Sequence, residues 1–433
     1  MIDQFSLLFA AALLSLVFHR SWFLKPFTLM AFGGAFYLSM QGSSVGLAGF
    51  VFNESFKVFE LVLEVVLFAY ILHDDEDISI TQTLFLGASS LLLLQAQTLL
   101  SFIIAFESLS LISVVMVSFI KTKAQAEGAV KMFIAGSLAT GILFLGLVSY
   151  VMGGGVLLAP LSSDGSFFMN VGVFVMLAAL FYKLTIVPFH SWAIDTYALV
   201  RHNHAGLLSG VAKSVAALAI FHIFSPFLAQ HLSLSVPLLA TLAVVSMTLG
   251  NTLALFSKNI AKILAYSSIV HAGYILVAFV AVKSSMADEG ILYMAIAYIF
   301  MQSGAFLSLD ILQKNYAIKT LEDIQGLSKY SPALAFLFTL QLFSLAGIPL
   351  LAGFLAKAVV FYAGVDAGLW WLVLIALLNS ALSVAYYAWI IKSIYFDEGK
   401  AQEKLVSTPL AMVAQLILAV GTVWFGVYAG SVF

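Results

Sequence analysis

Leu177-Ala178-Ala179-Leu180-Phe181-Tyr182-Lys183-Leu184-Thr185-Ile186-Val187-Pro188-Phe189-His190-Ser191-Trp192 sits inside an apolar run over 168–197. A spanning helix needs about 20 mostly apolar residues, so the run is long enough to cross a bilayer. It is too long to be one straight rod. Pro188 lacks a backbone donor and its ring clashes with the preceding turn, which predicts a break in mid-membrane. Such a break survives only where the freed carbonyls face protein or a hydrated cavity. Lys183 and His190 flank the predicted break. The stretch therefore reads as a membrane helix broken around an ionisable group.

The rest of the chain supports a lipid setting. Of 433 residues, 62% are hydrophobic and 9% charged, against about 25% charged in soluble domains. So little charge cannot coat a water-facing globule of this size. The net charge of −2 gives no sign of nucleic acid or an acidic substrate as partner. The absence of Cys excludes Cys-ligated iron–sulfur clusters, disulfides and thiol chemistry in this chain. Met1 to Val17 is apolar but lacks a basic start and a clear small-residue cleavage site, so it is expected to remain as a first span. No phosphate-binding Gly loop is present, and Gly153-Gly154-Gly155 reads as a turn in an outer loop.

Walking outward, the apolar runs predict an all-α, polytopic protein of about fourteen transmembrane helices, from 4–18 to 408–430. A second overlong run, 332–364, contains Gly347-Ile348-Pro349 and is also expected to break. The cations test this count. Loops after odd-numbered spans hold Arg20, Lys25, Lys121, Lys123, Arg201, Lys258, Lys262, Lys314, Lys319, Lys329, Lys392, Lys400 and Lys404, with Lys131 starting a span on the same side. The other side has Lys57 and Lys283. That asymmetry places the odd loops in the cytoplasm and both termini outside, with the cytoplasmic (inner) membrane of a prokaryote as the expected location ahead of a thylakoid membrane.

Three cations remain, Lys183, Lys213 and Lys357, each inside a predicted span. A lysine at the bilayer centre costs about 2.5–3.5 kcal/mol even on lenient scales, so the default reading of such a residue is functional. Glu107 lies eight residues into its span, and Glu60 and Glu64 share a helix face at i, i+4. Buried carboxylates and lysines change proton affinity when a neighbouring charge moves, which is what a proton relay requires. For Glu60 and Glu64 a contact with another subunit explains the residues equally well. His190 and His271 are further relay candidates, because imidazole passes protons through both nitrogens; hydrogen-bonded structural roles stay open for both. His202 and His204 flank Asn203, but without nearby Cys or carboxylates they do not read as a metal site.

The two broken runs are seventh and twelfth in order, so they cross in opposite senses, each with a lysine near its break. Two inverted five-helix repeats would produce this pattern. The expected division is N-terminal helices over 1–79, a first repeat over 80–226, a second over 237–395, and a loop with the last helix over 396–433.

The motif Lys183-Leu184-Thr185-Ile186-Val187-Pro188-Phe189-His190-Ser191-Trp192, with Asp195 and Tyr197, resembles a signature of the antiporter-like subunits of respiratory complex I. The likeness continues at Ala129-Val130-Lys131-Met132-Phe133, Gly250-Asn251, Asn259-Ile260, Ala265-Tyr266-Ser267-Ser268 with His271 and Gly273-Tyr274, and Ser344-Leu345-Ala346-Gly347-Ile348-Pro349 with Gly353-Phe354. Together these cover roughly 100–395 in the family's order. The chain is most similar to the subunit N type of NADH-quinone oxidoreductase, through Asp195 with Tyr197 and through a lysine at 357. The resemblance implies that Glu107 is the fifth-helix glutamate, Lys183 its ion-pair partner, Lys213 the central lysine and Lys357 the lysine near the exit. It also implies no redox cofactor in this chain. NADH (or ferredoxin or a deazaflavin), flavin, iron–sulfur clusters and quinone would belong to partner subunits, with other membrane-arm subunits as neighbours.

The chain departs from the N-type pattern at Ile194, at Leu199-Val200-Arg201-His202-Asn203-His204 and at Ala261-Lys262, all in predicted cytoplasmic segments. The D-type component of a multi-subunit sodium/proton antiporter shares most of these motifs and is the alternative, with a non-pumping scaffold role as a further one. The predicted topology is directly testable, because the chain has no native Cys. Single Lys57→Cys and Lys283→Cys variants are expected to react with a membrane-impermeant maleimide added outside intact cells. Lys258→Cys and Lys392→Cys should react only after the membrane is opened; the reverse pattern would invert the topology.

Overall fold

A backbone in lipid must satisfy its own N–H and C=O groups, and this chain does so with helices. The structure, a computed structural model, describes residues 3–17, 24–42, 49–118, 122–162, 165–316, 318–398 and 408–428. Arg20, Lys121, Lys400 and Lys404, counted above as cytoplasmic cations, lie outside these residues.

The helices run in the order α1 (Gln4–Val17), α2 (Leu24–Met40), α3 (Lys57–His73), α4 (Asp77–Leu94), α5 (Leu99–Ser118), α6 (Lys123–Met152), α7 (Phe167–Leu184), α8 (Ser191–Leu199) and α9 (His202–Gly206). They continue with α10 (Lys213–Gln230), α11 (Leu232–Phe256), α12 (Ile260–Val280), α13 (Ala287–Asn315), α14 (Leu327–Tyr330), α15 (Pro332–Ala346), α16 (Ala352–Asp366), α17 (Trp370–Tyr395) and α18 (Pro409–Val427). Among the described residues, ten helical stretches are long and apolar enough to cross a membrane: α4 to α7, the continuous α9–α10 run, α11 to α13, α17 and α18. The expected fourteen spans are therefore not reached by that measure. The first three helices have 14, 17 and 17 residues, and the run over 332–364 divides into two helices of 15 residues each. Apolar composition continues past the point where the backbone turns, so it overestimates helix length.

Both predicted breaks occur, each slightly ahead of its proline. α7 ends at Leu184, Thr185 adopts a φ of 58°, and α8 resumes only at Ser191. α15 ends at Ala346, and Gly347 turns the chain with a φ of 90° while its N–H returns to the Phe343 and Ser344 carbonyls. That left-handed cap is strained for residues with a Cβ, which is why glycine stands there.

The chain folds as two compact units. The first comprises Met1–Leu184 with Ala212–Ser235, and the second Thr185–Val211 with Val236–Phe433. In the first unit, α6 and α7 pack closely through Gly146 and Gly172, the small-residue contact typical of membrane helices. The opposite face of α6 exposes Val130, Phe133, Ile134, Leu138 and Leu145, a surface suited to lipid. In the second unit, α12 and α13 are almost wholly buried. Several polar side chains inside it pair across helices: Asn251 donates to the Asn379 carbonyl and amide oxygen at 2.8 and 3.0 Å, and Gln415 donates to Ser308 at 2.8 Å. Buried polar groups left unpaired would each cost about 1–3 kcal/mol.

A Cβ on Gly172 would lie 2.5 Å from the Tyr150 nitrogen and 2.6 Å from the Gly146 carbonyl, both backbone atoms that cannot swing aside. Gly172→Ala is expected to destabilise the unit by about 1–3 kcal/mol, read as a lower thermal midpoint of the purified protein in detergent. Gly141→Ala, on the same helix as Gly146 but with open space around its Cβ, should leave that midpoint unchanged.

Candidate functional site: charges buried in membrane helices

In the first unit, α5, α6 and α7 line a partly open cavity of about 270 Å³ whose lining includes Glu107, Ser110, Ser137, Thr140, Tyr182 and Lys183. Glu107 is half-buried, and both its oxygens accept from Thr140 Oγ1 at 3.2 Å. Lys183 lies in the last turn of α7, only 4% exposed. Its Nζ donates to Ser113 Oγ at 2.7 Å and to the Leu109 carbonyl at 3.5 Å. The two charges share the cavity without pairing directly; each is held by hydroxyls and carbonyls, and they interact through the space between. Ser113 in turn donates to the Leu109 carbonyl at 2.6 Å, so the lysine's anchors belong to one turn of α5. A cation in the last turn of a helix also faces its negative dipole end, worth about 0.3–1 kcal/mol. Nearby, Tyr182 reaches across to donate to the Met132 carbonyl at 3.0 Å, over Gly136, where a Cβ would come within 3.1 Å of the phenol oxygen.

Lys357 occupies the second unit, on α16, and is 5% exposed. Its Nζ donates to the carbonyls of Leu345 and Ala346, the last residues of α15, and to Ser380 Oγ, all at 3.0 Å. The break in the helix therefore frees carbonyls that an unbroken helix would consume, and the ammonium takes them. Nζ also sits 5.3 Å from the centre of the Tyr274 ring, over its negative face. His271 packs edge-to-face with Tyr274, their ring centres 5.5 Å apart, and His271 Nδ1 meets the Ser267 carbonyl at 2.9 Å. Tyr298 lies 5.2 Å from the same imidazole, and Tyr387 donates to Ser267 Oγ at 2.7 Å. Lys357, Tyr274, His271 and Tyr298 thus form one buried file of polar groups.

Lys213 opens α10 directly after a π-helical segment, Leu207–Ala212, and is fully buried. Single-turn π segments inside α-helices often accompany functional sites. His190 caps the start of α8, half-buried. The ring of His202 packs near Phe306. Among the described residues no three His, Cys, Asp or Glu side chains come together as a metal cage.

Glu60 and Glu64 are 0% and 2% exposed, facing the interior of the first unit. Gln4 and Gln95 donate to Glu60 at 2.7 and 3.3 Å, and Ser39 lies 2.8 Å from Glu64. The reading of these two carboxylates as a contact with another subunit is replaced by this internal network.

The structure therefore joins Glu107 with Lys183, Lys357 with His271, and Glu60 with Glu64. Sequence reasoning missed the hydroxyl partners Ser113, Thr140, Ser380 and Ser39, as well as the Tyr274 ring beneath Lys357. Hydroxyls are common in apolar helices, where they usually bond their own preceding turn, so no local signal distinguishes these.

The family described as NADH:quinone oxidoreductase/Mrp antiporter, TM, matches residues 96–383. F(420)H(2) dehydrogenase subunit N of Methanosarcina mazei is 34% identical over 425 residues, covering 92% of this chain and 85% of that protein. NADH-quinone oxidoreductase subunit N 2 of Solibacter usitatus is 32% identical over 409 residues, covering 90% and 82%. A chain of respiratory complex I from Thermus thermophilus superposes with a TM-score of 0.83 at 23% identity, covering 99% of this chain and 97% of that one. A chain of the Mrp complex from Dietzia does so at 0.88 with 18% identity, covering 99% and 95%. These two solved structures share the fold. The match over 96–383 contains Glu107, Lys183, Lys213, His271 and Lys357, and the chain belongs to the NADH:quinone oxidoreductase/Mrp antiporter transmembrane family.

Proposed function

We propose that this chain is the subunit N-like, proton-translocating component of the membrane arm of a complex I-type quinone oxidoreductase. The observation that carries the reading is Glu107 and Lys183 lining one cavity among membrane helices, each held by groups that a proton or a charge can displace. Two more lysines, Lys213 and Lys357, are buried in the same chain. A buried ammonium keeps its proton only while neighbouring charges and dipoles favour it, so moving charge at one site changes occupancy at the next. Electron transfer in partner subunits would alter the Glu107–Lys183 arrangement. Lys183 would exchange Ser113 for Glu107, the proton affinity of Lys213 would change, and the proton on Lys357 would leave past the broken α15–α16 helix. His190, His271, Glu64 and Glu60 would act as secondary carriers.

The same reading divides the chain into N-terminal helices over 1–79, inverted repeats over 80–226 and 237–395, and a C-terminal segment over 396–433. It places the chain in the cytoplasmic membrane of a prokaryote with both termini outside, beside other antiporter-like and small membrane subunits. Flavin, iron–sulfur clusters and quinone would be held by partners. NADH is one candidate donor; the name of the Methanosarcina mazei relative, F(420)H(2) dehydrogenase, supports a deazaflavin-type donor as another. The likeness to a chain of the Mrp complex keeps a component of a sodium/proton antiporter as a second reading. Co-purification of hydrophilic redox subunits separates the two.

The test is proton pumping by the purified parent complex in proteoliposomes, with electron transfer measured alongside. Lys213→Ala is expected to lower both by about tenfold or more while assembly stays normal, since it removes a group that would carry the proton; unchanged pumping would overturn the assignment. Ser113→Ala removes an anchor of Lys183 without removing a charge, worth about 0.5–1.5 kcal/mol, and should lower pumping by a smaller factor, about threefold to tenfold, in the same assay.

A further inference from the structure

Glu60 and Glu64 stand one turn apart on α3, and among the described residues no ion pair joins either of them to a Lys, Arg or His; Lys213 of α10, in the same unit, forms none with them. α1 carries no charged side chain, Lys25 on α2 pairs with Asp75 at 3.2 Å, and Lys57 lies 4.0 Å from Glu54. The charged residue of α4 is Asp77, Asp3 is bonded to Ser6, His73 ends α3 at its far turn, and His222 of α10 packs against Phe56. Two ionised carboxylates so placed would repel with no paired cation to offset them.

The hydrogen bonds resolve the conflict by counting donors. Gln4 Nε2 donates to Glu60 Oε2 at 2.7 Å, and Gln95 Nε2 donates to Glu60 Oε1 at 3.3 Å. The Gln4 Oε1 then accepts from Ser39 Oγ. Ser39 has one hydroxyl hydrogen, yet its Oγ also lies 2.8 Å from Glu64 Oε1. With its hydrogen given to Gln4, Ser39 only accepts at that contact, so the hydrogen there comes from Glu64. The other oxygen, Glu64 Oε2, is buried with no hydrogen-bond partner, which an uncharged carboxyl tolerates better than a carboxylate. Turning the Gln4 amide over reverses each donor: Glu60 then carries the proton, Gln4 donates to Ser39, and Ser39 donates to an ionised Glu64. If both were ionised, two acceptors would face each other at one contact. If both were protonated, one carboxylic hydrogen would lack an acceptor within the chain Glu60–Gln4–Ser39–Glu64.

We propose that α1 to α3 bury a one-proton site, in which Glu60 and Glu64 share a single proton and the orientation of the Gln4 amide selects its holder. With the Gln4 amide oriented as it stands here, the hydrogen count assigns that proton to Glu64. This deepens the assignment of the two glutamates as secondary carriers and rests on that reading of the chain. Gln4, Ser39, Glu60, Glu64 and Gln95 all precede residue 96, where the family match begins, so the site lies outside the part of the chain that defines the family.

Infrared difference spectroscopy of the assembled parent complex tests it, with ¹³C-glutamate labelling to identify carboxyl bands. The isosteric Glu60→Gln/Glu64→Gln double variant is subtracted from wild type at neutral pH. The expected difference holds one protonated-carboxyl band and one carboxylate band, both moved by the label. Carboxylate bands alone, or protonated bands alone, would overturn the proposal. Ser39→Ala provides a second reading where the double variant fails to assemble. Loss of the acceptor should shift the protonated band upward in frequency, and an unshifted band in an assembled Ser39→Ala complex would also overturn it. The measurement reads proton occupancy without reading transport, so its outcome is separate from that of the pumping assay.

Discussion

An ammonium ion in a lipid-embedded interior persists only where protein dipoles stand in for the water it has lost. Lys357 meets that requirement with three contacts at 3.0 Å, two of them to carbonyls that exist as acceptors because α15 ends there. The break and the charge are thus one feature. Without the break the carbonyls would be consumed by the helix; without the lysine they would be buried and unpaired. Lys183 is held on the same principle by different means, using a serine and a carbonyl from one turn of α5. Because Glu107 is held by Thr140 and not by Lys183, neither charge is locked to the other. A locked ion pair would be a structural cross-link, whereas two charges facing one cavity can respond to each other.

The packing around these charges follows from what they require. α6 and α7 approach through glycines, which brings Tyr182 and Lys183 close to α5. In the second unit, the file from Lys357 through Tyr274 to His271 and Tyr298 is enclosed by the nearly complete burial of α12 and α13. Exposed apolar side chains are placed on α6 and other outward helices, where lipid or neighbouring subunits replace solvent. Polar groups are consequently concentrated along interior lines.

Much of this was legible from residue order. Glu107, Lys183, Lys213 and Lys357 are conspicuous because a charge in a long apolar run has no inexpensive explanation. Pro188 and Gly347 marked both broken regions, although the helices end a few residues before the prolines: the turn itself needs room, which Thr185 and Gly347 provide by leaving the helical region. The number of spans was less legible. Apolar composition runs through α1 to α3 and through both halves of the second break, and composition does not register where a backbone stops being helical.

The sequence by itself determined the solvent of this protein, its helical class and the residues that bear buried charge, because each of these is set by composition and by patterns within one segment. Only the tertiary structure decided which groups meet those charges. Thr140 reaches Glu107 across 33 positions, Ser380 reaches Lys357 across 23, and Gln4 reaches Glu60 across 56. Such partners are chosen by how helices pack and rotate against one another. A hydroxyl or amide looks the same in the sequence whether it faces lipid, its own helix or a buried carboxylate. For Glu60 and Glu64, read from residue order equally as relay candidates or as a contact with another subunit, burial inside the first unit decides against the surface contact.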